Sequence, residues 1–444
     1  MMSTLAVAID FLAILLGLSV LNYVLTSRRQ GRSPPGPPGW PIIGNILDMP
    51  ASHEWYTFAQ WGEKWGDIVS ANLLGKHLVI LNSSNVADEM LDKKSAIYSD
   101  RPVFPVAGEV IGWERILGFH QYGPRWREIR RLFSRTIGAH NSLTPLMDDL
   151  ERNAREFLRR VASDPATLTQ QVHRFTGAST LKMTYEYTVA EENDELLEIV
   201  DTAIGQFCLA SAPGAYLADV FPIPGWKRTA QAQRKDLDKM CDIPYDFTKA
   251  QVVAFRHVYM SLNLEGYIGL EREAVLKDAA SSMYAAALRS ALCWEVLRWQ
   301  PVSPLSVPHS LTQDDVHDGY FLPKGTLVIA NIWKMLRDPR CYTRPDQFNP
   351  DRFLPKAGAE PEYDPRQIGF GFGRRLKGLR LAEMSLFLIC AASLAALDIS
   401  KPVVNGEVIE PSMKYTTGTI SHPCEFKCTI KPRSPSAEAL LSLS

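Results

Sequence analysis

The chain is short of cysteine, of net charge and of repetition, and each shortage closes off a class of protein. Its seven cysteines, at 208, 241, 293, 341, 390, 424 and 428, are odd in number and scattered, with no zinc-ligand spacing. That usage fits reduced thiols in a cytosol-facing protein, not a disulfide framework. Only Cys424 and Cys428 are near neighbours, and neither a bridge nor a metal pair is expected of them. Lys and Arg number 48 against 49 Asp and Glu, a formal net charge of −1. No polyanion is therefore expected as a partner, and nothing points to nucleic acid. No internal repeat and no low-complexity tract is present, which sets aside solenoids and tethers. What the chain does have is 444 residues with 46% apolar content, enough for one large core or two to three ordinary ones.

Residues 5–26 are nearly all apolar, with Asp10 the one charge inside. As a helix they would span roughly 33 Å at about 1.5 Å per residue, enough for the hydrocarbon core of a bilayer. Arg28, Arg29 and Arg32 follow at once, and the positive-inside rule puts them, with all that comes after, on the cytoplasmic side. The run is long and no charged leader precedes it, so a retained anchor is expected over a cleaved signal peptide. Pro34, Pro35, Pro37, Pro38 and Pro41 then resist helix and favour a stiff spacer that orients the rest against the membrane. Asn82-Ser83-Ser84 matches a glycosylation acceptor by pattern, and the cytosolic orientation makes it a surface turn.

Alternating residues around 68–71 and 78–81 predict a short hairpin, and 86–91 reads as a helix. From about 128 to 247 the pattern is mostly helical, broken by Ala212-Pro213-Gly214 and Phe221-Pro222-Ile223-Pro224-Gly225. Later, 319–325 reads as a turn between strand-like segments, with 326–329 leaving it as a strand. Helix-rich with small sheets is the coarse expectation.

Glu295 and Arg298 stand three apart on one face of a helix expected over 286–299. Trp126 and Arg130 follow a Gly-Pro turn, which places an indole N–H and a guanidinium one turn apart on a helix. Taken singly, such residues usually mark a solvated face. The segment Phe370-Gly371-Phe372-Gly373-Arg374-Arg375-Leu376-Lys377-Gly378 changes their weight, because it resembles the haem-binding loop of the cytochrome P450 family. In that resemblance Glu295, Arg298 and the Arg352 of Asn349-Pro350-Asp351-Arg352-Phe353 form an ion-paired structural triad that locks the loop. Trp126, Arg130, His309 and Arg375 match the positions that bind the haem propionates. With the anchor, the proline hinge and the Ser421-His422-Pro423 tail, the resemblance covers nearly the whole chain and is closest to filamentous-fungal members.

The resemblance implies a mainly α protein with small β-sheets. It would have a cytochrome P450-like fold, internally truncated, with one N-terminal transmembrane helix. Residues 1–26 would be the anchor, 27–45 a basic and proline-rich hinge, and 46–444 the domain. It implies haem b, electrons from an NADPH-cytochrome reductase, a lipid bilayer as partner, and a single-pass position in the endoplasmic reticulum membrane with the domain in the cytosol. The reaction implied is monooxygenation of a small apolar molecule, of secondary-metabolite or xenobiotic type, with dioxygen. The loop 103–119, with Val106, Ile111, Trp113 and Phe119, and the tail 415–420 would line the pocket.

Two departures bear on the chemistry. The family's axial cysteine is missing: aligned from the arginines Lys377 takes its place, aligned from the final glycine Leu376 does, and the loop is one residue short. An amine must lose its proton to bind iron, at a cost of roughly 4–5 kcal/mol at neutral pH, and lacks the electron donation of a thiolate. Near 284–294 several dozen residues are absent, among them the family's oxygen-activation segment, and no Asp-Thr or Glu-Thr pair replaces it. No catalytic residue and no metal ligand is intact. Beside the monooxygenase, then, stand a catalytically inactive, membrane-tethered relic and a gene prediction whose exon boundaries dropped both elements.

Overall fold

The computed structural model describes residues 32–137, 147–211, 226–258, 291–354, 360–373 and 379–442, with Gly17 alone before them. In chain order its main elements are α1 (Glu54–Trp65), β1 (Ile68–Leu73), β2 (Lys76–Leu81), α2 (Pro124–Ile137), α3 (Met147–Ser163), α4 (Leu168–Tyr185), α5 (Glu195–Ala210), α6 (Trp226–Val258) and α7 (291–299). These are followed by β3 (His309–Ser310), β4 (Asp315–His317), β5 (Tyr320–Leu322), β6 (Leu327–Ala330), α8 (Leu379–Ala396), β7 (Leu397–Ser400), β8 (Thr429–Pro432) and α9 (Pro435–Ser442). The fold is mainly helical with small sheets, as the sequence predicts.

The largest sheet runs β1-β2-β6-β3, antiparallel except for the parallel pair β2 and β6. The β1-β2 hairpin turns through Leu74 and Gly75, both at positive φ (51° and 85°), as a two-residue turn matching strand twist requires. In β2 the run Leu78–Leu81 is buried without a break because both faces are covered. Val79 and Leu81, with Val328 and Ala330, face one core that includes Met90, Tyr98, Met335, Tyr342, Phe353 and Phe372. Leu78 and Ile80, with Leu327 and Ile329, face the other, built on Trp55, Phe58 and Trp61 of α1. A third core joins α3, α4 and α8 to β7 and β8 through Phe157, Leu158, Phe175, Leu397 and Ile430.

Several local readings are corrected. The helix expected over 86–91 is one short α-turn (Ser84–Ala87) followed by a wider π-turn (Asp88–Lys93), which places Met90 and Leu91 in the core. The turn expected over 319–325 holds the strand β5 within it: the reversal is at Asp318 and Gly319, both at positive φ, and pairs β4 with β5. Asn82 is not a surface-turn residue. It is buried, and its Oδ1 accepts from Asn331 Nδ2 at 3.0 Å. The proline stretch is packed on the domain: Ser70 donates to the carbonyls of Pro34 and Pro35, and a Cβ on Gly36 would lie 1.9 Å from the Ser70 carbonyl oxygen. Only glycine allows that approach. No helix of the described residues is long and apolar enough to cross a membrane. The expected anchor, 1–26, lies outside them except for Gly17, as do the breaks expected at 212–214 and 221–225 and the start of the 286–299 helix.

Candidate functional site

Glu295 and Arg298 leave α7 on one face and are completely buried; Arg352, on the short turn Pro350–Phe353, is buried with them. Arg298 grips the carboxylate with two parallel bonds, Nε to Oε2 at 2.7 Å and Nη2 to Oε1 at 2.8 Å. Arg352 Nε donates to Oε2 at 3.1 Å and the Asn349 amide to Oε1 at 2.7 Å. The remaining guanidinium hydrogens go to the carbonyls of Leu336, Thr343 and Gln347. Arg352 also meets Glu362 at 2.6 Å. Glu362 was not foreseen: an acid ten residues downstream has no spacing signal. It balances the second arginine, leaving a neutral set in which every charge is hydrogen-bonded, the condition for burying charge at tolerable cost.

Trp126 is buried near the start of α2, where Pro124 fixes a helical φ without needing an amide partner. Arg130, one turn on, lays its guanidinium over the Trp126 ring at 5.0 Å, and burial lowers its pKa. His309 is buried on β3, with Nδ1 2.7 Å from the Tyr98 carbonyl. The pair Asp100-Arg101, which sequence reasoning missed, ties these segments together. Asp100 Oδ1 accepts from the Tyr122 amide, just before α2, and its carbonyl accepts from the Ser310 amide. Arg101 donates to the carbonyls of Gly118, Val307 and Pro308. An acid and a base side by side before Pro102 were the only signal.

Of the loop at 370–378 the structure describes Phe370 to Gly373; Arg375, Leu376 and Lys377 lie outside the described residues. Gly371 and Gly373 both have positive φ (83° and 80°), and a Cβ on Gly373 would come within 2.8 Å of the Leu91 carbonyl oxygen. The Gly373 amide donates to Asp92, whose carboxyl burial holds above its usual range against that bond. Phe372 packs beside Leu91 and Tyr98, so this turn is seated on the same core that carries Phe353. The neighbouring Cys390 on α8, together with burial, pushes the thiol of Cys293 on α7 up.

The apolar residues expected to line a pocket gather around one that was not foreseen. Phe207 on α5 meets Trp113 at 4.7 Å and Phe119 at 5.1 Å between ring centroids, and Phe119 meets Phe104 at 5.1 Å. Ile111 and Trp113 pack on Ala203, Ala230 and Leu237, with Val106 at the edge. The tail 415–420 reaches the end of α5: Thr419 Oγ1 lies 2.8 Å from Ser211 Oγ, and Gly418 faces the Cys208 carbonyl. Phe207 sits in a helix whose sequence alone does not say which face turns inward toward 104–119.

Comparison with known proteins decides the family. The pattern described as Cytochrome P450 matches residues 34–263 and 277–427. The chain belongs to the cytochrome P450 family. Cytochrome P450 monooxygenase 208 of Postia placenta is 44% identical, covering 99% of this chain and 98% of its own. Cytochrome P450 monooxygenase claR of Ampulloclitocybe clavipes is 35% identical over 94% and 89%, and ppsD of Aspergillus oryzae 32% over 98% and 96%. The first alignment runs over 504 positions while this chain has 444 residues, so at least 60 positions of that alignment have no residue here. The family match is interrupted at 264–276, upstream of the 284–294 junction expected from sequence. The family implies haem. Trp126, Arg130 and His309 are the donor chemistry its carboxylates take, whereas residues 370–378 contain no cysteine. The donor set suits the carboxylate edge of haem and does not fit a thiolate-ligated iron.

Proposed function

We propose that this chain is, by descent, a cytochrome P450 monooxygenase for a small apolar substrate, and that with its present haem loop it does not turn that substrate over. In this reading the haem b, dioxygen and NADPH-cytochrome reductase are those expected of the family, and the apolar run within 1–26 with the arginines after it supports an anchor holding the domain on the cytosolic side of the endoplasmic reticulum membrane. The apolar substrate is supported by the aromatic group Phe104, Trp113, Phe119 and Phe207, whose rings exclude water and offer flat, non-directional contact. Trp126, Arg130, His309 and Arg375 would hold the haem carboxylates. Glu295, Arg298 and Arg352 are positioning residues that brace the turn leading to the haem loop.

The observation that carries the loss of turnover is Lys377 or Leu376 where a thiolate is needed, together with the absent acid–hydroxyl pair. Full-length protein, expressed in microsomes with a reductase and added haem, is expected to give no thiolate-type spectrum with carbon monoxide on reduction. Lys377→Cys alone is not expected to restore it, because the loop remains one residue short. A thiolate-type spectrum from the unaltered chain would overturn the reading. Sequencing the transcript separates a real truncation from an exon error: a message encoding the missing segment and a cysteine at the loop makes the intact monooxygenase the native product.

A further inference from the structure

A cavity of about 900 Å³ lies between α3 and α4, lined also by Ala396 of α8 and Leu441 of α9. It is separate from the aromatic group, and nothing in the haem chemistry uses it. Its floor is apolar, with Phe157, Leu158 and Phe175 all buried. Its rim is strongly cationic: six arginine or lysine side chains line it against two carboxylates.

Most of these cations are already matched within their own helix. Arg152 pairs with Asp149, Arg155 with Glu151, Arg159 and Arg160 with Glu156, and Lys182 with Glu186. Arg174 differs. Among the described residues it has no carboxylate within ion-pairing distance, and it donates to the Ala190 carbonyl. Burial and the nearby Arg160 lower its pKa, while Glu156, Asp194 and Glu191, beyond ion-pairing distance, act the other way.

One turn before Arg174 on the same face of α4 stands Gln171, 8% exposed. Its Nε2 reaches Thr167 Oγ1 at 3.4 Å, while among the described residues its Oε1 accepts no hydrogen bond. A buried acceptor without a donor is costly, and such atoms in native proteins mark a missing water or ligand. Among the described residues the wall thus presents, one helical turn apart, a cation with no ion pair and a carbonyl lacking a donor, above an apolar floor of ligand-binding size.

We propose that this cavity binds a single-chain amphiphile with a carboxylate head and a hydroxyl beside it, of the class of long-chain 2-hydroxy acids. The carboxylate meets Arg174, the hydroxyl donates to Gln171 Oε1, and the alkyl chain lies on Phe157 and Phe175. The site is independent of haem and of turnover.

The test uses the full chain in phosphatidylcholine nanodiscs, with empty nanodiscs subtracted, and the fluorescent acid 11-(dansylamino)undecanoate as probe. 2-Hydroxystearate is expected to displace it more strongly than stearate, by a factor of about three to ten for one hydrogen bond. 1-Octadecanol, which has the chain without the charge, is expected to be weaker again. Gln171→Leu should erase the preference for the hydroxy acid while leaving stearate binding in place. Arg174→Met should erase the preference of stearate over the alcohol. Equal displacement by stearate and octadecanol overturns the proposal, as does a hydroxy-acid preference that survives Gln171→Leu. If Arg174→Met does not fold, the Gln171→Leu arm decides alone.

Discussion

Two tetrapeptides of this chain, Glu295-Val296-Leu297-Arg298 and Glu156-Phe157-Leu158-Arg159, are almost the same, and they do opposite things. Each puts a carboxylate three residues before an arginine on a helix, and each carboxylate is gripped by a second arginine as well. Glu295 takes Arg352 from 57 residues away; Glu156 takes Arg160 from the next position. The first set is sealed, with side-chain exposures of 0%, 0% and 2%, the second wet, at 37%, 49% and 19%. The same local pattern is therefore a keystone in one place and a rim in the other. What separates them is a partner supplied by distant sequence and the dielectric it brings with it.

The largest effect expected from this contrast is on stability. Glu295→Ala leaves Arg298 and Arg352 buried without their shared anion and should cost about 3–5 kcal/mol. Glu156→Ala leaves two arginines that water can solvate and should cost under about 1 kcal/mol. Urea unfolding of the two variants beside the parent chain, followed by circular dichroism, measures both. Equal losses would break the comparison and show that exposure does not set the worth of these pairs.

That contrast also marks how far sequence carried the reading. The family, the helical middle, the β1-β2 hairpin and the identity of Glu295, Arg298 and Arg352 were legible, because family motifs and alternation are local signals. Phe207 was not, since any inward face of α5 would satisfy its amphipathic pattern until the 104–119 loop is in place. Asp100 and Arg101 were missed for a similar reason: their partners are backbone atoms at 118, 122 and 307–310, and backbone carries no letter. Nor is the burial of Asn82 legible, because nothing in its turn-like tripeptide shows that Asn331 and Gly62 close over it. Glu362 completes the buried charge balance and has no spacing rule that would announce it.

A smaller effect sharpens the same comparison. Double-mutant cycles should give a coupling of about 1–3 kcal/mol between Glu295 and Arg352, buried and in contact, and about 0.3–0.5 kcal/mol between Glu156 and Arg159. Arg352→Lys tests the geometry within the first pair. A lysine keeps the charge but cannot supply the fork that reaches Glu295, Glu362 and two carbonyls at once, so a loss of about 2 kcal/mol is expected from the buried acceptors it leaves. Arg159→Lys, on the wet helix, should be close to neutral. A cycle in which both couplings fall below about 0.5 kcal/mol, by the usual measure of exposed pairs, would put the stability of the keystone in packing alone.

The smallest effect is the dependence on pH, and its sign follows from the wet set. Hydrogen bonds from Arg159, and then from Arg160, hold the Glu156 carboxyl below its ordinary value, with partial burial acting against them. A carboxyl whose folded pKa is depressed contributes stability that is in place above its unfolded pKa and is lost as pH falls through the folded one. The window is therefore on the acid side, below the ordinary carboxylate range, and neutral pH lies on its plateau. Because Glu156 is 37% exposed, solvent screening limits the contribution to a few tenths of a kcal/mol, or about 0.3. Glu156→Gln keeps the shape and removes the titration, so it should be less stable than the parent by about that amount at neutral pH. The gap should close toward about pH 3 as the parent's carboxylate is protonated, and shrink at high salt. Urea midpoints for the two chains across that range read the difference directly. A gap that stays constant down to the acid limit would mean that the difference does not come from the charge of Glu156 but from hydrogen bonds that glutamine does not reproduce, and the wet set would then differ from the buried one in kind as well as in degree.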